Sequence, residues 1–282
     1  MATRSNQESC DLRTFRLTDA EMSSLFDAIN RSVTDEAHLK DRIAVVRQGE
    51  TLTERLAIAK EKGWFRPMLA DLLSQGVSIV INDIQITEPI ANAIGRHADV
   101  PPDWVTQQNL YVTPGASQGF DPHCDPHMVV VAHLYGRKVW TIYDKVLDNP
   151  VYDAGTNTVA DKSSALGVRS KIKVGPGEGF VIPRGLYHSA VALSPASVHL
   201  AVGAAGARAI DTIWTMADGA LQDPAMRADM TPDEALEAAR DYLARFALEP
   251  VRLPRFPRSG RVAEGTVSSL SFQEVLDALP GD

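Results

Sequence analysis

Residues Asp121–Trp140 read DPHCDPHMVVVAHLYGRKVW, and this stretch decides the reading of the chain. His123 and Asp125 stand two positions apart at the head of an apolar run. In an extended strand, side chains at i and i+2 point to one face, so an imidazole and a carboxylate can meet at one point. Joined by a third ligand from elsewhere, they match the two-His-one-carboxylate triad of non-heme Fe(II) oxygenases. Cys124, between them, points to the opposite face and reads as a small packed residue.

The third ligand is expected from a later strand. In GPGEGFVIPRGLYHSAVAL, two tight turns, Gly175–Gly177 and Pro183–Gly185, flank a short strand and deliver His188. One His-x-Asp arises often by chance. With His188 behind it on a strand-rich background, the metal reading prevails. Three protein ligands leave open positions that a bidentate 2-oxo acid and O2 can fill. The distal carboxylate of buried 2-oxoglutarate would need a cation, since an unpaired buried charge is costly. Lys138 opens a strand after the Gly136–Arg137 turn and can point into the cavity, while Arg137 reads as solvated. Asn109 and Tyr111 share a face of the preceding strand and could add hydrogen bonds. His127 and His133 fall on the alternation of His123 and Asp125. Each fits a partner behind the ligands, a rival ligand or a satisfied core histidine. His199 reads as a strand residue close to the site.

Around this segment, short strands punctuated by Gly and Pro cover Asn109–Thr113, Met128–Tyr135, Val139–Tyr143, Ser170–Val174, Gly179–Ile182, His188–Leu193 and Val198–Val202. That spacing predicts a sandwich or small barrel. Val77–Gln85 reads as a buried strand, Glu88–Ala98 as a helix, and Asp144–Ala165 as a loop long enough for a lid. The N-terminal third reads as mainly helical, with a Thr18/Glu21 capping box and a second helical pattern over Trp64–Leu73. After Trp214 helices return. Thr231, Pro232 and Glu234 start one that reaches Leu248, and a last short helix is expected around Phe272–Leu279.

The 282 residues, 44% hydrophobic and 23% charged, provide ample material for a core. A net charge of −8 argues against a nucleic-acid partner, which usually needs a basic face. Two cysteines, Cys10 and Cys124, do not suggest a disulfide framework. No apolar run approaches a membrane span, and MATRSNQESC lacks an apolar signal core, so a cytoplasmic location is expected.

The segments NLYVTPGASQGFDPHCDPHMVVVAHLYGRKVW, GEGFVIPRGLYHSA and SVHLAVG, and less sharply LLSQGVSIVINDIQ, resemble the JmjC-type cupin oxygenases, specifically their ribosomal-oxygenase branch. The resemblance covers roughly half the chain. It implies a double-stranded β-helix (jelly-roll) barrel binding Fe(II) through His123, Asp125 and His188. It also implies that Lys138, with Tyr111 and Asn109, holds 2-oxoglutarate. Family members hydroxylate side chains of ribosomal proteins, and many dimerise through helices after the barrel, a role that suits Pro232–Leu248. The chain departs from the pattern at Met128-Val129-Val130, where relatives read Asp-Val-Phe, at His133, where they place Gln, and at Gly203, where they carry a serine.

The expectation is therefore a mainly β protein in three parts: a helical region over 1–60, a catalytic barrel over 61–215 and a helical, dimer-forming region over 216–282. It would be an Fe(II)- and 2-oxoglutarate-dependent dioxygenase hydroxylating a protein or peptide side chain. The alternatives are hydroxylation of a small natural-product intermediate and a non-catalytic cupin binding module.

Overall fold

The computed structural model of the chain describes residues 12–33, 42–47, 50–51, 71–84, 88–151 and 166–246. Their elements run β1 (Thr14–Arg16), α1 (Asp19–Val33), β2 (Ile43–Arg47), β3 (Glu50–Thr51), β4 (Ser78–Ile81), α2 (Glu88–Ala98) and β5 (Val105–Pro114). Then follow β6 (Met128–Tyr135), β7 (Lys138–Val146), β8 (Val168–Val174), β9 (Glu178–Ile182), β10 (Leu186–Ala192), β11 (Ala196–Ala205), α3 (Ala209–Gln222) and α4 (Pro232–Phe246). The expected helix at Trp64–Leu73 falls mostly outside the described residues, and the one at Phe272–Leu279 wholly so. Residues 71–74 are helical, and the chain turns at Gly76.

One sheet has the order β1-β9-β6-β11-β5-β4-β2-β3 and the other β10-β7-β8. The sequence alternation explains why they pack. Val129 and Val131 of β6, Phe180 and Ile182 of β9 and Ala201 of β11 meet Trp140, Ile142, Val174 and Leu186 of the smaller sheet. The other side of the large sheet, with Val130, Ala132, Leu134, Val198, Leu200 and Val202, forms a second core that includes Leu25 and Ile29 of α1 and Ile94 of α2. The central strands are thus covered on both faces. All ten residues of β11 are buried, and β6 reads as a continuous apolar run where a half-exposed strand would alternate. Two facing antiparallel sheets with helices on one side are the expected jelly-roll arrangement.

The N-terminal region differs from its helical reading. β1 pairs with β9, and β2 pairs with β4, so both belong to the large sheet. Three to five residues are too few to produce a periodic signal, and their edge positions come from tertiary pairing. The Thr18/Glu21 capping box does form. Glu21 N donates to Thr18 Oγ1 at 3.2 Å, and Thr18 N donates to Glu21 Oε2 at 2.8 Å. β7 runs on to Val146, so the loop expected from Asp144 starts later. Its part beyond Val151 lies outside the described residues.

The chain divides into two compact units. One contains both sheets, α1 and α2. The other joins Pro101–Val105 to the helical segment from Ala205. In the second unit, Glu234 and Thr231 build a capping box at the expected start of α4, and Tyr242 Oη donates to Met216 O at 3.0 Å. Among the described residues, no helix is long and apolar enough to cross a membrane.

Candidate active site

Three side chains converge where the smaller sheet meets the segment ahead of β6. Ligand atoms of His123, Asp125 and His188 all lie within 4.8 Å of one another. His188 sits on β10, as expected, but His123 and Asp125 do not sit on a strand. Pro122 and Pro126 bracket them and cannot donate to a ladder, so the segment is irregular and meets β10 through a single bridge. In that bridge His123 N donates to His188 O at 3.0 Å, and His188 N donates to His123 O at 2.7 Å. Gly185 N fastens the other end, donating to Asp125 O at 3.0 Å. The two halves of the site are therefore held together by backbone rather than by the ligand side chains.

The backbone also sets the imidazole tautomers. His123 Nδ1 lies 2.8 Å from Asp121 O, and His188 Nδ1 lies 3.0 Å from Leu186 O. A carbonyl only accepts, so each Nδ1 carries the proton and each Nε2 presents a lone pair. His188 Nε2 is 3.5 Å from Asp125 Oδ2. Burial alone would raise the Asp125 pKa, but the imidazoles of His188, His123 and His127 together hold it below the usual range. Burial drives the His188 pKa down to about 4, so it stays neutral at physiological pH. Two imidazoles that present Nε2 and one carboxylate form a donor set that suits a divalent ion. The Nδ1 hydrogen bonds orient the rings as outer-shell partners do at metal centres.

The turn delivering His188 depends on Gly185. Its φ is +81°, and a Cβ there would run into the Leu147 carbonyl oxygen. Gly185→Ala is expected to destabilise the fold by about 2 kcal/mol or more, measured by denaturant unfolding. It should also loosen the Gly185–Asp125 backbone contact.

Lys138 lies on the same inner side and is only 3% exposed. Its Nζ donates to Thr113 Oγ1 at 3.0 Å and lies 3.2 Å from His199 Nδ1. Among the described residues no carboxylate pairs with it, and burial lowers its pKa to about 7. Tyr111 stacks on His199 with ring centroids 4.7 Å apart. Asn109 interacts with the Tyr111 side chain and also accepts from Asp83 N at 3.0 Å, so it braces the loop after β4 as well as the tyrosine. Trp140 lies edge-on to His199 at 5.2 Å and tilted against His188 at 5.8 Å. Its Nε1 is buried, with no hydrogen-bond partner among the described residues. Sequence reasoning gave no role to Thr113 or Trp140. Each stands two residues after one it did name, Tyr111 and Lys138, and so shares that residue's face.

The remaining histidines separate into distinct environments. His133 is fully buried, points Nε2 at Gly136 O at 3.1 Å and stacks parallel to His199 with centroids 6.5 Å apart. His199 is 3% exposed and lies beside Lys138. Neither belongs to the ligand cluster, and nor does His127. The His127 ring lies over Gly203. A Cβ there would be 2.9 Å from its Cε1, 3.1 Å from Nε2 and 3.2 Å from Nδ1. These near-equal distances place the ring face against the glycine, so the small residue at 203 and the imidazole at 127 fit as a pair. Cys124 is buried in a separate cluster with Tyr187, on the far side from the ligands.

Comparison with known proteins places this site in a family context. The JmjC domain family matches residues 77–211, which contain all nine candidate residues. Among curated relatives, the bifunctional lysine-specific demethylase and histidyl-hydroxylase NO66 of Dictyostelium discoideum is 32% identical over 91 residues, covering 32% of this chain and 17% of that protein. Ribosomal oxygenase 2 of Rattus norvegicus is 31% identical over 97 residues, covering 33% of this chain and 20% of its own length. The chain thus spans about a fifth or less of these relatives. Among solved structures, Escherichia coli YcfD, a ribosomal oxygenase, in complex with cobalt and 2-oxoglutarate is 21% identical, with a TM-score of 0.42, covering 62% of this chain and 48% of that one.

Proposed function

We propose, from the JmjC domain that residues 77–211 form, that this chain is an Fe(II)- and 2-oxoglutarate-dependent dioxygenase that hydroxylates a side chain of a protein or peptide. The observation that carries the reading is the juxtaposition of two unlike sites. A His123/Asp125/His188 cluster with two Nε2 lone pairs lies beside a buried lysine with no carboxylate partner among the described residues. The first fits a divalent metal. The second, where Lys138 Nζ meets the Thr113 hydroxyl and lies 6.0 Å from the centroid of the Trp140 ring, whose Nε1–H has no partner among the described residues, fits a carboxylate, which can only accept. Iron held by the three ligands would supply O2 activation coupled to decarboxylation of 2-oxoglutarate to succinate.

The protein's own part is positioning. Backbone carbonyls hold the His123 and His188 rings in the metal-binding tautomer. Lys138 offsets the charge of the distal carboxylate. The apolar wall of Val129, Val131, Phe180, Ile182 and Leu186 excludes water and fixes the Trp140 ring. A protein substrate is favoured by the relatives' names, histidyl-hydroxylase and ribosomal oxygenase, and by the shared family. Mass spectrometry of cell lysate incubated with the protein, Fe(II) and 2-oxoglutarate is expected to reveal a protein side chain gaining one oxygen. A gain confined to small metabolites would redirect the assignment to a natural-product hydroxylase. Absence of both, with no succinate formed, would leave a binding module.

A homodimer through the C-terminal helices is part of the proposal. Ile213 and Leu221 of α3 and Leu236 and Leu243 of α4 are 50–63% exposed, and a second copy of the chain would cover this apolar surface. The double substitution Leu236→Glu/Leu243→Glu is expected to convert the protein to a monomer, read by light scattering. An unchanged mass would place the interface elsewhere.

A further inference from the structure

Lys138 is unusual even for a carboxylate-binding group, because its hydrogen-bond partners among the described residues are neutral: the Thr113 hydroxyl and the His199 imidazole. We propose that Lys138 shares its hydrogen bond with His199 as a proton-poor unit, and that a dianionic 2-oxo acid binds with uptake of one proton onto Lys138. This rests on the reading of the pocket as a 2-oxoglutarate site and adds to it a proton that travels with the ligand.

The geometry carries the argument. A buried ammonium is costly unless an anion faces it. The groups packed around Lys138 supply none. β5 contributes Thr113 and Tyr111, the latter with its phenol pKa raised by burial, and β11 contributes His199. β6 contributes His133, and Trp140 follows on β7 itself with its ring centroid 6.0 Å from Nζ. The titratable groups one layer further out are Asp125, which acts on Tyr111, Glu178 of β9, which acts on His133, and His188 of β10, which acts on His199. Both inner imidazoles stay neutral. Burial first, and then the Lys138 charge, lowers the His133 pKa to about 4 and the His199 pKa well below its usual value. Lys138, lowered by burial to about 7, is therefore the member of the group that titrates near neutrality.

The sign follows directly. Without ligand, Lys138 loses its proton as pH rises through about 7. A bound carboxylate favours the ammonium and moves that loss to higher pH. Between the two values, binding draws one proton from solvent: Nζ gains it, and the carboxylate, already ionised, neither gains nor loses one. His199 positions the amine. By accepting at Nδ1 it holds Nζ in the pocket without contributing a charge. His133, stacked parallel to it at 6.5 Å, keeps a second neutral ring behind the first.

The test is calorimetry of 2-oxoglutarate binding to the Mn(II)-loaded protein, which keeps the site filled without turnover. It is run in two buffers of different ionisation enthalpy at each pH. The account predicts uptake of about 0.9 proton per ligand near pH 8 and about 0.1 near pH 6. Affinity should fall roughly tenfold per pH unit above about pH 8. In Lys138→Arg, whose guanidinium stays charged, the uptake should vanish. Binding without uptake near pH 8 in the wild type would overturn this proposal alone, and wild-type uptake in Lys138→Arg would take the proton away from Lys138. Absence of any binding would overturn the 2-oxoglutarate reading, and this proposal with it.

Discussion

Replacing Asp125 or His123 with alanine is expected to abolish Fe(II) binding and, with it, succinate formation. Each belongs to the proposed ligand cluster of three, and no fourth His, Cys, Asp or Glu joins it among the described residues. Losing an outer-shell partner of a metal ligand typically costs 10- to 100-fold in affinity, so losing a ligand should cost more than about a hundredfold. Isothermal titration with Mn(II) measures this without relying on turnover. Asp125→Ala also removes the negative charge that faces His188 at 3.5 Å, leaving two imidazoles and no carboxylate to offset the charge of the ion. The backbone bridge between His123 and His188 does not depend on either side chain, so the variants should stay folded. Retained metal affinity in a folded Asp125→Ala protein would remove it from the triad.

Lys138→Ala should have the second-largest effect, on the cosubstrate rather than the metal. Removing one partner of a buried, hydrogen-bonded charge pair costs about 2–5 kcal/mol, or roughly thirtyfold to several thousandfold in the 2-oxoglutarate requirement. Mn(II) affinity should hardly change, because Lys138 lies outside the ligand cluster. Replacing Lys138 with an uncharged residue should affect the ligand-free protein in the opposite direction. A lysine whose pKa is about 7 when folded and about 10.4 when unfolded binds fewer protons in the folded state between those values. Wild-type stability should therefore rise with pH across that window. Lys138→Met should lose this rise and be more stable than wild type near pH 6, where the wild type must bury the ammonium. A more stable but weakly binding variant is the expected exchange at a functional site.

The chemistry was more legible in the sequence than the scaffold that holds it. His123, Asp125 and His188 could be named because ligand chemistry demands few residue types, and the three do meet. Strand β6 could be bounded at Met128 and Tyr135 because a doubly covered strand reads as an unbroken apolar run. Strands β1 and β2 could not, since their pairing with β9 and β4 is a long-range contact of segments only three and five residues long. His123 and Asp125 do converge with His188, but from an irregular segment and not from a strand, because Pro122 and Pro126 prevent a ladder there. Asn109 shows a different limit. Its place beside Tyr111 follows from strand alternation, but its bond to Asp83 N depends on a loop that takes φ +58° at Asp83. Lys138 could be pointed inward by alternation alone, whereas its contact with His199 depends on how β7 and β11, in different sheets, face each other.

The account is tested most directly by following 2-oxoglutarate conversion to succinate by the purified protein with cell lysate, with and without Fe(II), beside Asp125→Ala. It predicts succinate formation that needs Fe(II), is stopped by a chelator and is absent in the folded Asp125→Ala protein. Succinate formed equally by wild type and Asp125→Ala, or none formed by an iron-loaded wild type that binds 2-oxoglutarate, would contradict it.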